Sequence, residues 1–216
     1  MKDIAVFGAG SYGEEIACLI KKINNRLAVP IWNFIGFFDD DETLWGKNQG
    51  YGKILGGKDI INEWKGDLSL VLAIANGNVL KKIVDYIKKK DVDYPNIIDP
   101  DTSFLDKDSF HIGKGNVVGE GSRFATKCTL GDFNIIVNDS IFGHDDKIGN
   151  FNIFFPASRL SGHVTVGDFN TFGVETTVIQ GHTVGNNVKF TPGSFLMSDT
   201  EDGFTYRGNP ARKTML

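Results

Sequence analysis

Apolar residues recur along this chain with two different periods. Up to about residue 100, short apolar runs alternate with segments whose apolar positions fall three or four apart. DIAVFG reads as a buried strand, SYGEEIACLIKKI as an amphipathic helix and FIGFFDD as a second strand. LSLVLAIA followed by VLKKIVDYIKKK repeats the scheme. About four or five strands of this kind make an α/β half domain, fewer than a complete dinucleotide-binding fold uses, so a nucleotide site here is expected to be a half-site for a mononucleotide.

From residue 112 the period becomes six. Ile112, Val118, Phe124, Leu130, Ile136, Phe142, Ile148, Phe154, Leu160, Val166, Phe172, Val178, Val184 and Phe190 are all apolar. The residue after them is glycine in more than half of the hexads: Gly113, Gly119, Gly131, Gly143, Gly149, Gly167, Gly173 and Gly185. A glycine there is read as serving a tight turn between short strands. A fixed hexapeptide period marks a parallel β-helix, in which each hexad forms one side of a coil and its apolar residue points inward. Three sides per coil give a register of eighteen, so Ile112, Leu130, Ile148, Val166 and Val184 should form one interior column, and Val118, Ile136, Phe154 and Phe172 another. The expected boundaries are 1–100 for the α/β unit and 101–216 for the β-helix.

Composition narrows the functional classes. The chain is 41% hydrophobic and 23% charged with a net charge of −4, which suits a globular protein and offers nucleic acid little. The one basic block, Lys88, Lys89 and Lys90, ends a helical pattern and is expected to face solvent. With no apolar run of about 18 residues and no leader pattern, a cytoplasmic location without membrane contact is the expectation. Cys18 and Cys128 are far apart and read as reduced, packed thiols.

The motifs VFGAGSYG, GFFDD, IIDP, NDSIFGHDDKIGNF and YRGNPARK, in this order across nearly the whole chain, resemble the hexapeptide-repeat sugar acyltransferase family that includes bacillosamine-type N-acetyltransferases and sialic acid O-acetyltransferases. The resemblance implies a half-Rossmann domain followed by a left-handed parallel β-helix. It also implies a homotrimer with sites between subunits, acetyl-CoA as co-substrate without a metal, a nucleotide-linked amino sugar as acceptor, and a part in polysaccharide biosynthesis.

GAGSYG has the G-x-G-x-x-G spacing between a strand and a helix, where bare backbone and a helix N-terminus suit a phosphate. Gly8, Gly10, Ser11, Tyr12 and Gly13, with Asp39 and Asp40 at the end of the next strand, are the substrate-binding candidates; a packing turn and an NAD site are the alternatives. The family's usual histidine in this loop is replaced by Tyr12. His144 follows Gly143 at a corner of its hexad, and imidazole matches the proton transfer that acylation of an amine needs near neutral pH. The resemblance makes His144 the base and Asp145 its orienter. Asp146 is the rival orienter, and a solvated turn histidine is the plain alternative.

His163, eighteen residues beyond Asp145, should lie one coil above it, there to help place the substrate or merely to pair with Asp145. His144, His163 and His182 step by nineteen residues, which raises a zinc hydratase, but three coils spread them over roughly 10 Å. The donor side is assigned to Gly143, Ile153, Gly173, Thr191, Gly193 and Arg212. Ile153 stands where the family has a donor-side histidine. Thr191 and Pro192 interrupt a glycine-rich run, and Gly173 is expected to offer an amide to the oxyanion. Direct N-acyl transfer to the sugar is the leading expectation, with sugar O-acetylation and an inactive trimeric binding protein as alternatives.

Overall fold

The computed structural model describes residues 1–48 and 50–214. The chain divides into two compact units, one of Met1–Ala75 with Val79–Pro100 and one of Asn76–Asn78 with Asp101–Leu216. The first is built from β1 (Lys2–Phe7), α1 (Ser11–Arg26), β2 (Trp32–Phe38), α2 (Lys58–Glu63), β3 (Leu68–Leu72), all but the first two residues of α3 (Gly77–Tyr86), and β4 (Val92–Asp93). The four strands form a parallel sheet in the order β2-β1-β3-β4. Sequence reading missed α2, whose six residues are too few to display a helical period. Ile4 to Phe7 and Leu68 to Leu72 are buried throughout. Near-continuous apolar runs follow from a sheet covered on both faces.

In the second unit, two-residue strands begin at Ser103–Phe104 and recur every six residues from His111–Ile112 to Phe195–Leu196, making a parallel β-solenoid of about six turns. Strands eighteen residues apart pair in parallel: Leu130 with Ile112 and Ile148, Ile136 with Val118 and Phe154, and Phe142 with Phe124 and Leu160. The inward residues are buried, apart from the first, Ile112. Aromatic rings continue the columns through the prism, with Phe124 stacked on Phe142 at 4.7 Å and Phe154 on Phe172 at 4.4 Å.

The corners differ from the sequence reading. Left-handed backbone falls three positions after each inward residue: at glycine in four corners, Gly115, Gly121, Gly181 and Gly193, and elsewhere at Lys127, Phe133, Asp139, Asp145, Phe151, Ala157, His163, Phe169, Glu175 and Asn187, with φ between 54° and 62°. Such conformations are costly for side chains with a Cβ. Coil-to-coil hydrogen bonds at each corner offset that cost, Asp145 N donating to Thr126 O at 2.9 Å and His163 N to His144 O at 2.8 Å. The repeated glycines are one position after the inward residue and have no positive φ. They are required because coils approach closely: a Cβ on Gly143 would collide with the backbone nitrogen of Gly162.

Just before the outward strand residue lies a position that is buried and polar in most hexads. Asn116, Asn134, Asn152 and Asn170 occupy it in one column, each Oδ1 accepting the backbone amide one coil above, at 2.8 Å from Asn134 and 2.9 Å from Asn152 and Asn170; Asn170 in turn accepts from Val188 N at 2.7 Å. This ladder satisfies amides that the short strands leave over. Two smaller expectations also shift. Cys128 is buried but Cys18 is exposed. Lys89 tucks its chain against the surface, 8% exposed, and reaches Asp91 at 3.6 Å.

Candidate active site

In the α/β unit the glycine loop joins the end of β1 to α1. Gly8 has φ 107°, and a Cβ there would lie 2.8 Å from Ala73 O. Gly13 is bare because a Cβ would strike the Gly8 carbonyl, so this glycine packs helix against loop. Gly10 caps α1 with open space around it, and Ser11, the first helical residue, is exposed. Those two positions keep the backbone accessible at the helix N-terminus. Tyr12 is half-buried, and burial pushes its phenol well above the ordinary range, so it stays neutral.

Asp39 and Asp40 are both committed to neighbours. Asp39 accepts the amides of Ala9 at 2.8 Å and Asp41 at 2.9 Å, which fixes the loop to the end of β2. Asp40 accepts the Lys58 amide at 3.1 Å and its ammonium at 2.6 Å. They border a cleft of about 450 Å³ with Phe7, Gly8, Lys58 and the α3 residues Val79, Lys82, Ile83 and Tyr86. Lys58, Lys82 and Tyr86 were not singled out from sequence, although 79, 82, 83 and 86 trace one face of a helix. The result is an apolar wall, two cations and a bare glycine loop, a combination suited to a phosphorylated ligand.

In the β-helix unit, the strand Ile141–Phe142 delivers His144 to a corner, with its side chain 49% exposed. Its Nδ1 lies 3.0 Å from Asp145 Oδ2. That contact, with Lys127 and His163 in the same corner column, holds the Asp145 carboxyl below its ordinary value. The His144 and His163 rings meet edge to face, centroids 4.7 Å apart. The ring of His144 lies over Gly162, where a Cβ would be 2.5 Å from Nε2. Sequence reading missed Gly162; its place eighteen residues beyond His144 was the available signal.

Asp146 does not touch the imidazole. It is fully buried, its Oδ2 accepting from Gly143 N at 2.7 Å and its Oδ1 from Val164 N at 2.9 Å. Burial raises this carboxyl to about 7, against the pull of those two amides. His182 stands apart from the cluster and contacts Asp199, Nδ1 to Oδ1 at 3.1 Å. Two of the three staggered histidines therefore converge, and they do so around a carboxylate.

The donor-side assignments change most. Ile153 is fully buried within its strand, between Ile135 and Thr171, and presents no surface to a ligand. The amides of Gly143, Gly173 and Thr191 donate up the coil to Leu160, Phe190 and Tyr206 at 3.0 Å, and that of Gly193 donates back to Val174 at 2.7 Å. Parallel pairing consumes these groups, so Gly173 does not have a spare amide for an oxyanion. Arg212 is exposed in the terminal hairpin, opposite Arg207.

Residues 3–87 match the family model described as the PglD N-terminal domain. The acetyltransferase domain of PglB from Neisseria gonorrhoeae, solved with acetyl coenzyme A, superposes with a TM-score of 0.85 at 25% identity, covering 99% of each chain. Residues 3–87 thus carry a PglD N-terminal domain, and over its full length the chain is similar to an acetyltransferase domain. PerB from Caulobacter crescentus, solved with CoA and GDP-perosamine, shares the fold at 21% identity and TM-score 0.86 over 100% of this chain and 98% of its own. WeeI from Acinetobacter baumannii shares it at 24% identity and TM-score 0.86, over 99% and 100%. No curated protein matches by sequence. No helix among the described residues is long and apolar enough to cross a membrane.

Proposed function

We propose that the chain is an acetyl-CoA-dependent N-acetyltransferase acting on the amino group of a nucleotide-linked sugar. One observation carries the reading. A half-exposed imidazole on a rigid β-helix corner has Nδ1 held by a carboxylate at 3.0 Å, in a chain that superposes end to end on an acetyltransferase domain solved with acetyl coenzyme A. The similarity to PerB, solved with CoA and GDP-perosamine, supports an amino sugar carried on a nucleotide.

In this reading the cleft of the α/β unit holds the nucleotide part, with Lys58 and Lys82 facing its phosphates and the glycine loop leaving room for them. Asp39 and Asp40 shape that cleft. Asp145 fixes the His144 tautomer, so Nε2 is the proton acceptor, and it stabilises the imidazolium that forms. The sugar amine attacks the thioester carbonyl, forming a C–N bond. Nε2 takes the amine proton, the C–S bond breaks, and the CoA thiolate leaves and is protonated. His163, stacked against His144, borders the space where the amine must sit. Transfer is direct. Following the resemblance, we place the working sites between subunits of a homotrimer, which light scattering checks.

The test is a panel of nucleotide-linked sugars, amino and hydroxyl-only, incubated with acetyl-CoA while CoA thiol release and product mass are followed. The reading requires release with an amino sugar and an amide product. Ester products would move the assignment to O-acetylation, and no turnover with any sugar would leave a binding protein.

A further inference from the structure

We infer that His144, Asp145 and His163 form a chelating site for a divalent transition-metal cation of the zinc or cobalt type, and that occupancy of this site shuts off the base. One ring nitrogen from each imidazole and one carboxylate oxygen all lie within 4.8 Å of one another. A tetrahedral ion with bonds of about 2.1 Å needs ligand atoms about 3.4 Å apart. Side-chain rotation alone closes that gap, because all three side chains start at a partly or fully exposed corner.

The backbone beneath is already fixed. Asp145 and His163 both adopt φ of 60° at corner positions, and the coil-to-coil bonds Asp145 N to Thr126 O and His163 N to His144 O hold the two corners in register. Gly162 removes the one Cβ that would crowd the His144 ring. Preorganised ligands on rigid elements are what a metal site requires of its scaffold.

The donor set also sets selectivity. Two imidazoles and one carboxylate suit zinc, cobalt or nickel, whereas magnesium and calcium prefer all-oxygen sites. Lys127, in the corner column below Asp145, adds positive charge nearby, which further disfavours a hard cation held by charge alone. Three protein ligands leave the fourth position of a tetrahedral ion to water. The inhibitory consequence rests on the proposed base role. An ion on Nε2 occupies the lone pair that must accept the amine proton, and an ion on Nδ1 displaces Asp145; both remove the arrangement. The chemistry is ligand exchange, with a proton or water released as the cation enters.

Cobalt provides a readout independent of transfer. Tag-free protein, stripped with chelator, is titrated with Co²⁺ and followed by visible absorption, which is intense for a tetrahedral ion. One cobalt per chain is expected, displaced by zinc and not by excess magnesium. Asp145→Asn and His163→Gln, on neighbouring coils, should each weaken binding by about 100-fold or more, since losing a direct ligand costs at least as much as losing a supporting one. His182→Gln should bind as wild type. Far-UV circular dichroism confirms that each variant is folded, and either ligand variant alone is decisive. Absence of a cobalt band, undiminished binding in a ligand variant, or loss in His182→Gln would overturn the site. Acetyl transfer by the stripped protein should fall in step with cobalt occupancy and return with chelator, and transfer undiminished at full occupancy would overturn the inhibition; absence of transfer in the metal-free protein would instead count against the proposed enzyme function, so the two readings fail separately.

Discussion

Asp146 gives the β-helix a calculable pH dependence. Its position is the one filled by Asn116, Asn134, Asn152 and Asn170 in the neighbouring column, and it performs half of their task, accepting Val164 N at 2.9 Å. Like them it is fully buried, but unlike them it is ionisable, and burial raises it from 3.8 to about 7. A raised acid binds its proton more tightly when folded. Its stabilising contribution is therefore complete below about pH 4, declines as pH climbs through the range between those values, and is gone above about 7. At 1.36 kcal/mol per tenfold change in proton affinity, the swing is at most about 4 kcal/mol. Asp146→Asn removes the ionisation while keeping an acceptor for Val164. It gives up the Gly143 N contact at 2.7 Å, worth about 1 kcal/mol, and Gly143 N retains its bond to Leu160. Urea unfolding at fixed protein concentration, at pH 5, 6, 7 and 8, should show the variant gaining on wild type by about 2 to 3 kcal/mol from pH 5 to pH 8. Parallel pH dependences for the two proteins would refute the reasoning.

Three further substitutions probe other parts of the account. Gly162→Ala places a Cβ 2.5 Å from His144 Nε2; turnover should fall about 10-fold or more, with stability within about 1 kcal/mol of wild type because the displaced group is an exposed side chain, and wild-type turnover would contradict this. Phe154→Ala deletes a fully buried ring stacked on Phe172 at 4.4 Å and edge-on to Phe142 at 5.2 Å, and should cost about 3 to 5 kcal/mol in denaturant unfolding. Lys58→Ala breaks the pair with Asp40 at 2.6 Å and removes a phosphate-facing cation; KM for the sugar nucleotide should rise about 10-fold with kcat unchanged, at little cost in stability because the pair is part-exposed.

Much of this fold is legible in the sequence because the β-helix writes its register into one residue in six. Phe124, Phe142, Phe154 and Phe172 have to be apolar, and they are. The corner conformation is harder to see. Residues as different as Lys127, Phe133, Asp145 and Ala157 adopt it, because the coil-to-coil hydrogen bond, made by backbone, outweighs side-chain preference. The glycines signalled a tight place but not its cause, which is the neighbouring coil and not the torsion angle. Backbone pairing also explains the donor-side corrections, since a linear sequence does not reveal that the amides of Gly173, Thr191 and Gly193 are already used. Asp145 and Asp146 look interchangeable as neighbours in FGHDDKIG. They separate only when the hexad register turns one to the corner and the other into the buried polar ladder. Gly162 and the α3 face of the cleft required knowing what lies eighteen residues, or one helical turn, away.

In the proposed mechanism the imidazole of His144 takes the proton from the attacking amine. The direct measurement is CoA release with the best amino-sugar nucleotide from the panel, comparing wild type with His144→Ala at matched folding. Loss of a positioned base should lower kcat by about 100-fold or more, with KM for acetyl-CoA little changed. Turnover within a few-fold of wild type in His144→Ala would contradict the claim.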